Sequence, residues 1–88
     1  MIWNVRLARD AKSQLRKLPL DRQELIWKSL REMADDPFLG DVKRLQGARW
    51  TGHYRKRVGR YRVIFVPFHQ EHIIEVSAIL SRSEKTYR

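Results

Sequence analysis

Residues 54–65 read YRKRVGRYRVIF, two runs of aromatic, valine and basic residues separated by the dipeptide Gly59-Arg60. A two-residue loop that opens with glycine favours a type II′ turn, because the twist of that turn matches the twist of paired strands. The segment therefore predicts a β-hairpin whose strands cover residues 53–58 and 61–66.

Successive side chains of a strand point to opposite faces, so the hairpin residues divide into two sets. The set suited to a core comprises Tyr54, Val58, Tyr61, Val63 and Phe65. The opposite set comprises Arg55, Arg57, Arg62, Ile64 and Val66. Alternation sends Lys56 to the core side, from which its long stem can reach the rim. Three arginines are thus expected to share the other face.

The rest of the chain supplies helices and further strands. A strand is predicted over 1–7, helices over 8–18 and 21–34, a short strand over 42–45, and a strand over 72–80. Proline at positions 19 and 37 ends each helix, and Asp21 with Glu24 predicts a capping box. Strands joined by tight turns are antiparallel, and amphipathic helices need a sheet face to cover.

The sequence therefore predicts an α+β fold in a single domain over residues 1–88. It begins with a strand and a two-helix hairpin, followed by antiparallel strands that form one twisted sheet with the helices on one face. The chain has no cysteine, which excludes disulfides, a thiolate zinc site and a cysteine nucleophile. Charge appears at Arg6 before a signal-peptide core develops, so we expect a cytoplasmic protein without a membrane segment.

Positive charge is concentrated in the second half. Residues 43–88 contain eleven Lys and Arg against three Glu, a net charge of +8, whereas residues 1–42 carry only +1. No acidic residue occurs from Lys43 to Arg62, so the eight bases of that stretch must find ion-pair partners elsewhere. Such an excess predicts an anionic partner, either a nucleic acid or an acidic protein.

Three blocks of the sequence resemble the RelE/ParE toxin superfamily. They are VKRLQG at 42–47, YRKRVGRYRVIF at 54–65 and RSEKTYR at 82–88. The resemblance runs nearly end to end and implies a toxin of a type II toxin-antitoxin system. The RelE-like branch cleaves mRNA in the ribosomal A site by attack of the ribose 2′-OH on the adjacent phosphate. A metal-independent endoribonuclease without a cofactor is therefore implied here.

The resemblance also assigns roles to residues. Catalytic positions are implied at Arg55, Arg57, Arg62, Arg82 and Tyr87. Arg62 and Arg82 would clamp the scissile phosphate, and Tyr87 would stack on a base. The basic residues expected to bind RNA around them are Lys43, Arg44, Lys56, Arg60, Lys85 and Arg88.

The general base is the open question of this site. The RelE prototype has a lysine where this chain has Arg57, and a guanidinium does not lose its proton in proteins. Lys56, surrounded by other cations, and His53, a side chain suited to proton transfer near neutral pH, are the candidates. Tyr87 is a weaker third candidate. Catalysis by electrostatic stabilisation alone is the remaining alternative.

The partners implied are a cognate acidic antitoxin, mRNA on the ribosome, and operator DNA bound only as the toxin-antitoxin complex. An exposed indole at Trp27, on the flank of the second helix, would indicate an antitoxin groove. Two other functions fit the residues. One is a ParE-like inhibitor of DNA gyrase without catalytic residues, and the other is a nucleic-acid-binding module without toxic chemistry.

Overall fold

The computed structural model describes residues 2–81 of the chain. Its strands are β1 (Asn4–Leu7), β2 (Val42–Arg44), β3 (Tyr54–Val58), β4 (Tyr61–Phe68) and β5 (Ile73–Ser81). Its helices are α1 (Arg9–Arg16) and α2 (Leu20–Asp35), and a short 3₁₀ turn covers Ala48–Trp50. The element order and the α+β class agree with the sequence prediction.

The strands of the described residues form one mixed sheet in the order β1-β5-β4-β3-β2. The three consecutive pairings from β2 to β5 are antiparallel, as predicted, whereas β1 runs parallel to β5 at the sheet edge. The amide of Ala8 donates to the carbonyl of Val76 at 2.9 Å, so this pairing continues to the start of α1. The two helices then cross one face of the sheet.

The hydrophobic core lies between the helices and that face. The buried helix residues that pack in it are Ala11, Leu15, Ile26, Leu30 and Met33. The buried hairpin residues that pack against them are Val58, Tyr61, Val63 and Phe65. These are the residues that strand alternation assigns to the core, so the predicted sorting of the two faces is confirmed.

The β3–β4 turn has the backbone conformation that its sequence predicts. Gly59 has a φ of +58°, as the first central position of a type II′ turn requires.

β4 extends past the predicted end of its strand through Pro67 to Phe68. The last pair with β3 is Tyr54–Phe65, so Pro67 lies where β4 is paired only with β5. Such a position tolerates proline, because no amide is needed toward a missing neighbour.

The predicted capping box is absent. α2 begins at Leu20, one residue earlier than expected, with Pro19 at the N-cap and no side-chain cap. The Pro19 carbonyl accepts from the amides of Arg22 and Gln23 at 2.9 Å each. The Gln23 side chain donates to the carbonyl of Leu18 at 2.8 Å, and this bond ties α2 to the linker from α1.

The turn before β5 fastens the N-terminal segment. Among the described residues other than glycine, His72 alone has a positive φ, +56°. Its carbonyl accepts from the amide of Asn4 at 2.8 Å, and its ring stacks on Trp3 with centroids 5.1 Å apart. The left-handed conformation is therefore held by contacts on both the backbone and the side chain.

Two phenylalanines of β4 provide a matched test of the core. Phe65 is fully buried, whereas Phe68 is 43% exposed. We expect Phe65→Ala to lower the free energy of unfolding by about 3–5 kcal/mol, because it removes buried apolar surface and leaves a cavity. Phe68→Ala should cost less than about 1 kcal/mol. Urea unfolding of both variants measures the difference, and similar midpoints would contradict this packing.

Candidate active site on the distal sheet face

The face of the sheet turned away from α1 and α2, called here the distal face, carries the predicted arginines. Because Val58, Tyr61 and Val63 point into the core, alternation places Arg57 and Arg62 on the distal face. They are direct partners in the antiparallel register of β3 and β4. Cβ atoms of such partners are about 4.5–5.5 Å apart, so two cationic side chains leave the sheet side by side.

Neighbouring positions extend this cluster. Arg55 is in register with Lys43 on β2 and with Ile64 on β4. Lys43 therefore lies on the distal face with the arginines. We use the name arginine cluster for Arg55, Arg57 and Arg62 together.

The floor of the arginine cluster is apolar. Ile64 and Leu80 are buried although both lie on the distal face, and Leu80 is the β5 partner of Arg62. Arg62 is half-buried between Arg57 on one side and Leu80 on the other. An apolar surrounding strengthens the interaction of a guanidinium with an anion, since it lowers the local dielectric constant.

Asp41 supplies negative charge to the cluster. One carboxylate oxygen accepts from Nη1 of Arg55 at 3.2 Å, and the other lies 3.8 Å from Nε of Arg57. The ion-pair partner of these two arginines therefore lies two residues before Lys43, where the stretch without acidic residues begins. This ion-pair partner was not predicted from the sequence, but the register of β2 with β3 accounts for it. Lys43 opposes Arg55 in the antiparallel pair, so Asp41 falls opposite Arg57.

Lys56 lies on the other face of the sheet. Its side chain is 7% exposed, and Nζ is 3.8 Å from a carboxylate oxygen of Glu32 on α2. The expectation that Lys56 serves as the base or as an RNA contact beside Arg62 does not fit this position, because the sheet separates the two side chains. Its stem reaches the helix rim, as alternation and length suggested.

The other candidates are distributed around the hairpin. Nδ1 of His53 lies 3.2 Å from the carbonyl of Thr51, and its ring meets Trp50 edge to face at 5.3 Å. Arg44 is exposed and is the partner of Tyr54, which places it on the helix side of β2. Arg60 is exposed in the β3–β4 turn. The predicted residues Arg82, Lys85, Tyr87 and Arg88 lie outside the described residues.

A second surface lies between the edge strand β1 and helix α2. It is a groove of about 810 Å³ whose lining includes Ile2, Val5, Leu30 and Trp27. Trp27 is 42% exposed. Basic side chains from three elements, Arg6, Lys12 and Arg31, also line it. The groove thus combines apolar surface with positive charge, and we call it the β1–α2 groove.

Neither described helix is long and apolar enough to cross a membrane. Within residues 2–81, no three His, Asp or Glu side chains are grouped as the ligands of a metal ion would be.

Solved structures with the same fold come from archaea and bacteria. The RelE-RelB complex of Pyrococcus horikoshii matches with a TM-score of 0.81 and 23% identity, over 97% of this chain and 100% of that one. The RelBE2 toxin-antitoxin complex of Mycobacterium tuberculosis matches at 0.82 and 19%, over 93% and 100%. The isolated Escherichia coli RelE toxin matches at 0.77 and 19%, over 96% and 88%.

At these identities the structural likeness establishes the fold. A comparison with curated proteins gives no significant match. The model of the family described as the ParE toxin of the type II toxin-antitoxin system, parDE, matches residues 5–86. Since that match spans most of the sequence, the chain belongs to this toxin family, within the RelE/ParE superfamily.

Proposed function

We propose that this toxin is a ribosome-dependent mRNA endonuclease that cleaves by attack of a ribose 2′-OH on the adjacent phosphate. The observation that carries the proposal is the cross-strand pair Arg57–Arg62, with Arg55 beside it, above the buried Ile64. Two adjacent strands hold these side chains, and rigid elements position catalytic groups better than loops do.

The chemistry needs positive charge at this place. Attack of the 2′-OH gives a pentacoordinate phosphorane with additional negative charge on its equatorial oxygens. The phosphorane then collapses to a 2′,3′-cyclic phosphate as the bond to the 5′ oxygen breaks, and that oxygen takes up a proton from water and leaves as a 5′-OH. Guanidinium groups bind the equatorial oxygens with two parallel N–H donors each, and they keep their charge throughout the reaction. Arg62, half-buried between Arg57 and Leu80, is the group best placed to act in a low-dielectric surrounding.

Few of the described residues can accept the proton of the attacking 2′-OH. The guanidinium of Arg57 offers donors but no acceptor for a proton, and Lys56 lies on the opposite face beside Glu32. His53, two residues before Arg55 on the approach to β3, is the remaining candidate base among the described residues. We therefore propose that stabilisation of the phosphorane supplies most of the rate, with His53 assisting proton removal.

Inhibition of DNA gyrase is the second candidate function. Two observations favour it: the matching family model is that of a ParE toxin, and an arginine stands at position 57, where the resemblance to the RelE prototype implies a lysine. A gyrase inhibitor would use the arginine cluster as a binding surface only. Accumulation of cleaved DNA in a supercoiling assay, with mRNA left intact on ribosomes, would favour this function.

A cognate antitoxin is the partner that the family and the solved toxin-antitoxin complexes support. We propose that an acidic segment of it docks in the β1–α2 groove. Its apolar side chains would cover Trp27 and Ile2, and its carboxylates would meet Lys12 and Arg31. We further propose that the toxin acts in the cytoplasm and contacts operator DNA only as the toxin-antitoxin complex.

Removal of the central guanidinium tests the nuclease. We expect Arg62→Ala to reduce the rate of A-site cleavage by roughly 10²–10³-fold, which corresponds to about 2.7–4 kcal/mol of transition-state stabilisation. Arg9→Ala removes the same charge from an exposed position on α1 and should cleave at the wild-type rate. Primer extension on a message translated by purified ribosomes measures both variants. Intact mRNA with the wild-type toxin, or equal rates for both variants, would refute the proposal.

Truncation of the groove indole tests the antitoxin surface. Trp27→Ala should weaken binding of the cognate antitoxin by about 30-fold or more, as expected when an aromatic anchor is lost. Leu20→Ala is the matched control, because Leu20 is exposed on the same helix but does not line the groove. Titration calorimetry with purified antitoxin measures both. Equal affinities would place the docking surface elsewhere.

A further inference from the structure

Asp41 contacts two members of the arginine cluster at once. Its Oδ1 accepts from Nη1 of Arg55 at 3.2 Å, while its Oδ2 lies 3.8 Å from Nε of Arg57. Each carboxylate oxygen therefore faces a different guanidinium. Carboxylates and phosphates are the two anions that the guanidinium fork recognises in the same way. The Asp41 carboxylate thus occupies a place that also suits two oxygens of a phosphate.

The backbone fixes this placement. The amide of Arg57 donates to the carbonyl of Asp41 at 2.9 Å. The next residue, Val42, begins β2 in register with Lys56 of β3. Gly40, immediately before, has a φ of +89°, a conformation that side-chain-bearing residues rarely adopt. The carboxylate is consequently carried by a turn anchored to β3 on both its main chain and its side chain.

Exposure differs across the contact. The Arg55 side chain is 12% exposed, whereas the side chains of Asp41 and Arg57 are 48% and 43% exposed. Ion pairs with this much solvent access are weak, so a better-placed anion can replace one partner. The less exposed Arg55 would keep its position in such an exchange, whereas the more exposed Arg57 would be freer to turn toward the incoming anion.

Electrostatics gives Asp41 a second effect. Arg57 and Arg62 are direct cross-strand partners, and like charges in that relation repel each other. A carboxylate within 4 Å of both Arg55 and Arg57 offsets part of this repulsion while no ligand is bound. The same carboxylate opposes a phosphate that approaches the cluster.

We infer that Asp41 is a positioning residue of the arginine cluster, whose carboxylate holds Arg55 and Arg57 in place until a phosphate of the RNA takes over those guanidinium groups. The inference rests on the proposed function for the identity of the ligand. In this role the Asp41 carboxylate lowers the affinity of the cluster for phosphate and keeps the arginine side chains in place. Without the carboxylate, phosphate binds more tightly, but the arginines that receive it are less well placed.

The first test uses inorganic phosphate and the NMR signals of the arginine Nε–Hε groups. Asp41→Asn should shift the Arg57 and Arg55 signals and tighten phosphate binding by about three- to tenfold, the effect of removing one charge at short range. Glu24→Gln makes the same charge change at an exposed site on α2 and should leave both unchanged. Asp41→Glu, which keeps the charge, should retain the wild-type phosphate affinity.

The second test separates binding from turnover on programmed ribosomes. Asp41→Asn should lower KM for the message and lower kcat about tenfold, because a displacement of catalytic groups near 1 Å can cost up to 10²-fold in rate. A purely structural role predicts a lower melting temperature with kcat and KM moving in the same unfavourable direction. Thermal unfolding by circular dichroism distinguishes that case.

The outcomes also separate this inference from the nuclease proposal. If wild-type toxin leaves mRNA intact, the proposed function fails, and the phosphate titration alone decides the role of Asp41. If Asp41→Asn binds phosphate no more tightly than Glu24→Gln does, or leaves the arginine signals in place, the positioning role is wrong, whatever the cleavage assay shows.

Discussion

Burial of one side of the β3–β4 hairpin against the two helices is the constraint on which the site depends. Val58, Tyr61, Val63 and Phe65 fill the space beneath α1 and α2. Because the side-chain period of a strand is two, this burial leaves no choice for the residues between them. A slip of one residue would put the arginines into the core and the apolar residues into water. The position of the cationic cluster is therefore enforced by hydrophobic packing.

Packing places basic side chains close together on both faces of the sheet, and carboxylates from other segments offset part of their charge. Asp41 places a carboxylate within 4 Å of both Arg55 and Arg57. On the other face, Glu32 of α2 lies near Lys56, whose side chain would otherwise bring a charge under the helix without a counter-ion. Both acids come from outside the basic stretch, so the fold brings together charges that the sequence keeps apart.

The hairpin could be predicted because its information is local. The turn at Gly59, the two faces of β3 and β4, and the separation of Lys56 from Arg57 all follow from residues close together in the chain. The failures concern contacts between distant segments or a competing local bond. The parallel pairing of β1 with β5 joins opposite ends of the described chain. At the start of α2, the amide of Gln23 donates to the Pro19 carbonyl and not to the side chain of Asp21, which was predicted to cap the helix.

The sheet order also limits how a partner can silence this toxin. β1 and β3 are separated by β5 and β4, which at about 4.8 Å per strand places them some 14 Å apart. The β1–α2 groove opens at the β1 edge, whereas the arginine cluster lies on the distal face near β3. A segment seated only in the groove therefore leaves Arg57 and Arg62 uncovered. Under the proposed docking, an antitoxin that also covers these arginines would continue around the β1 edge onto the distal face.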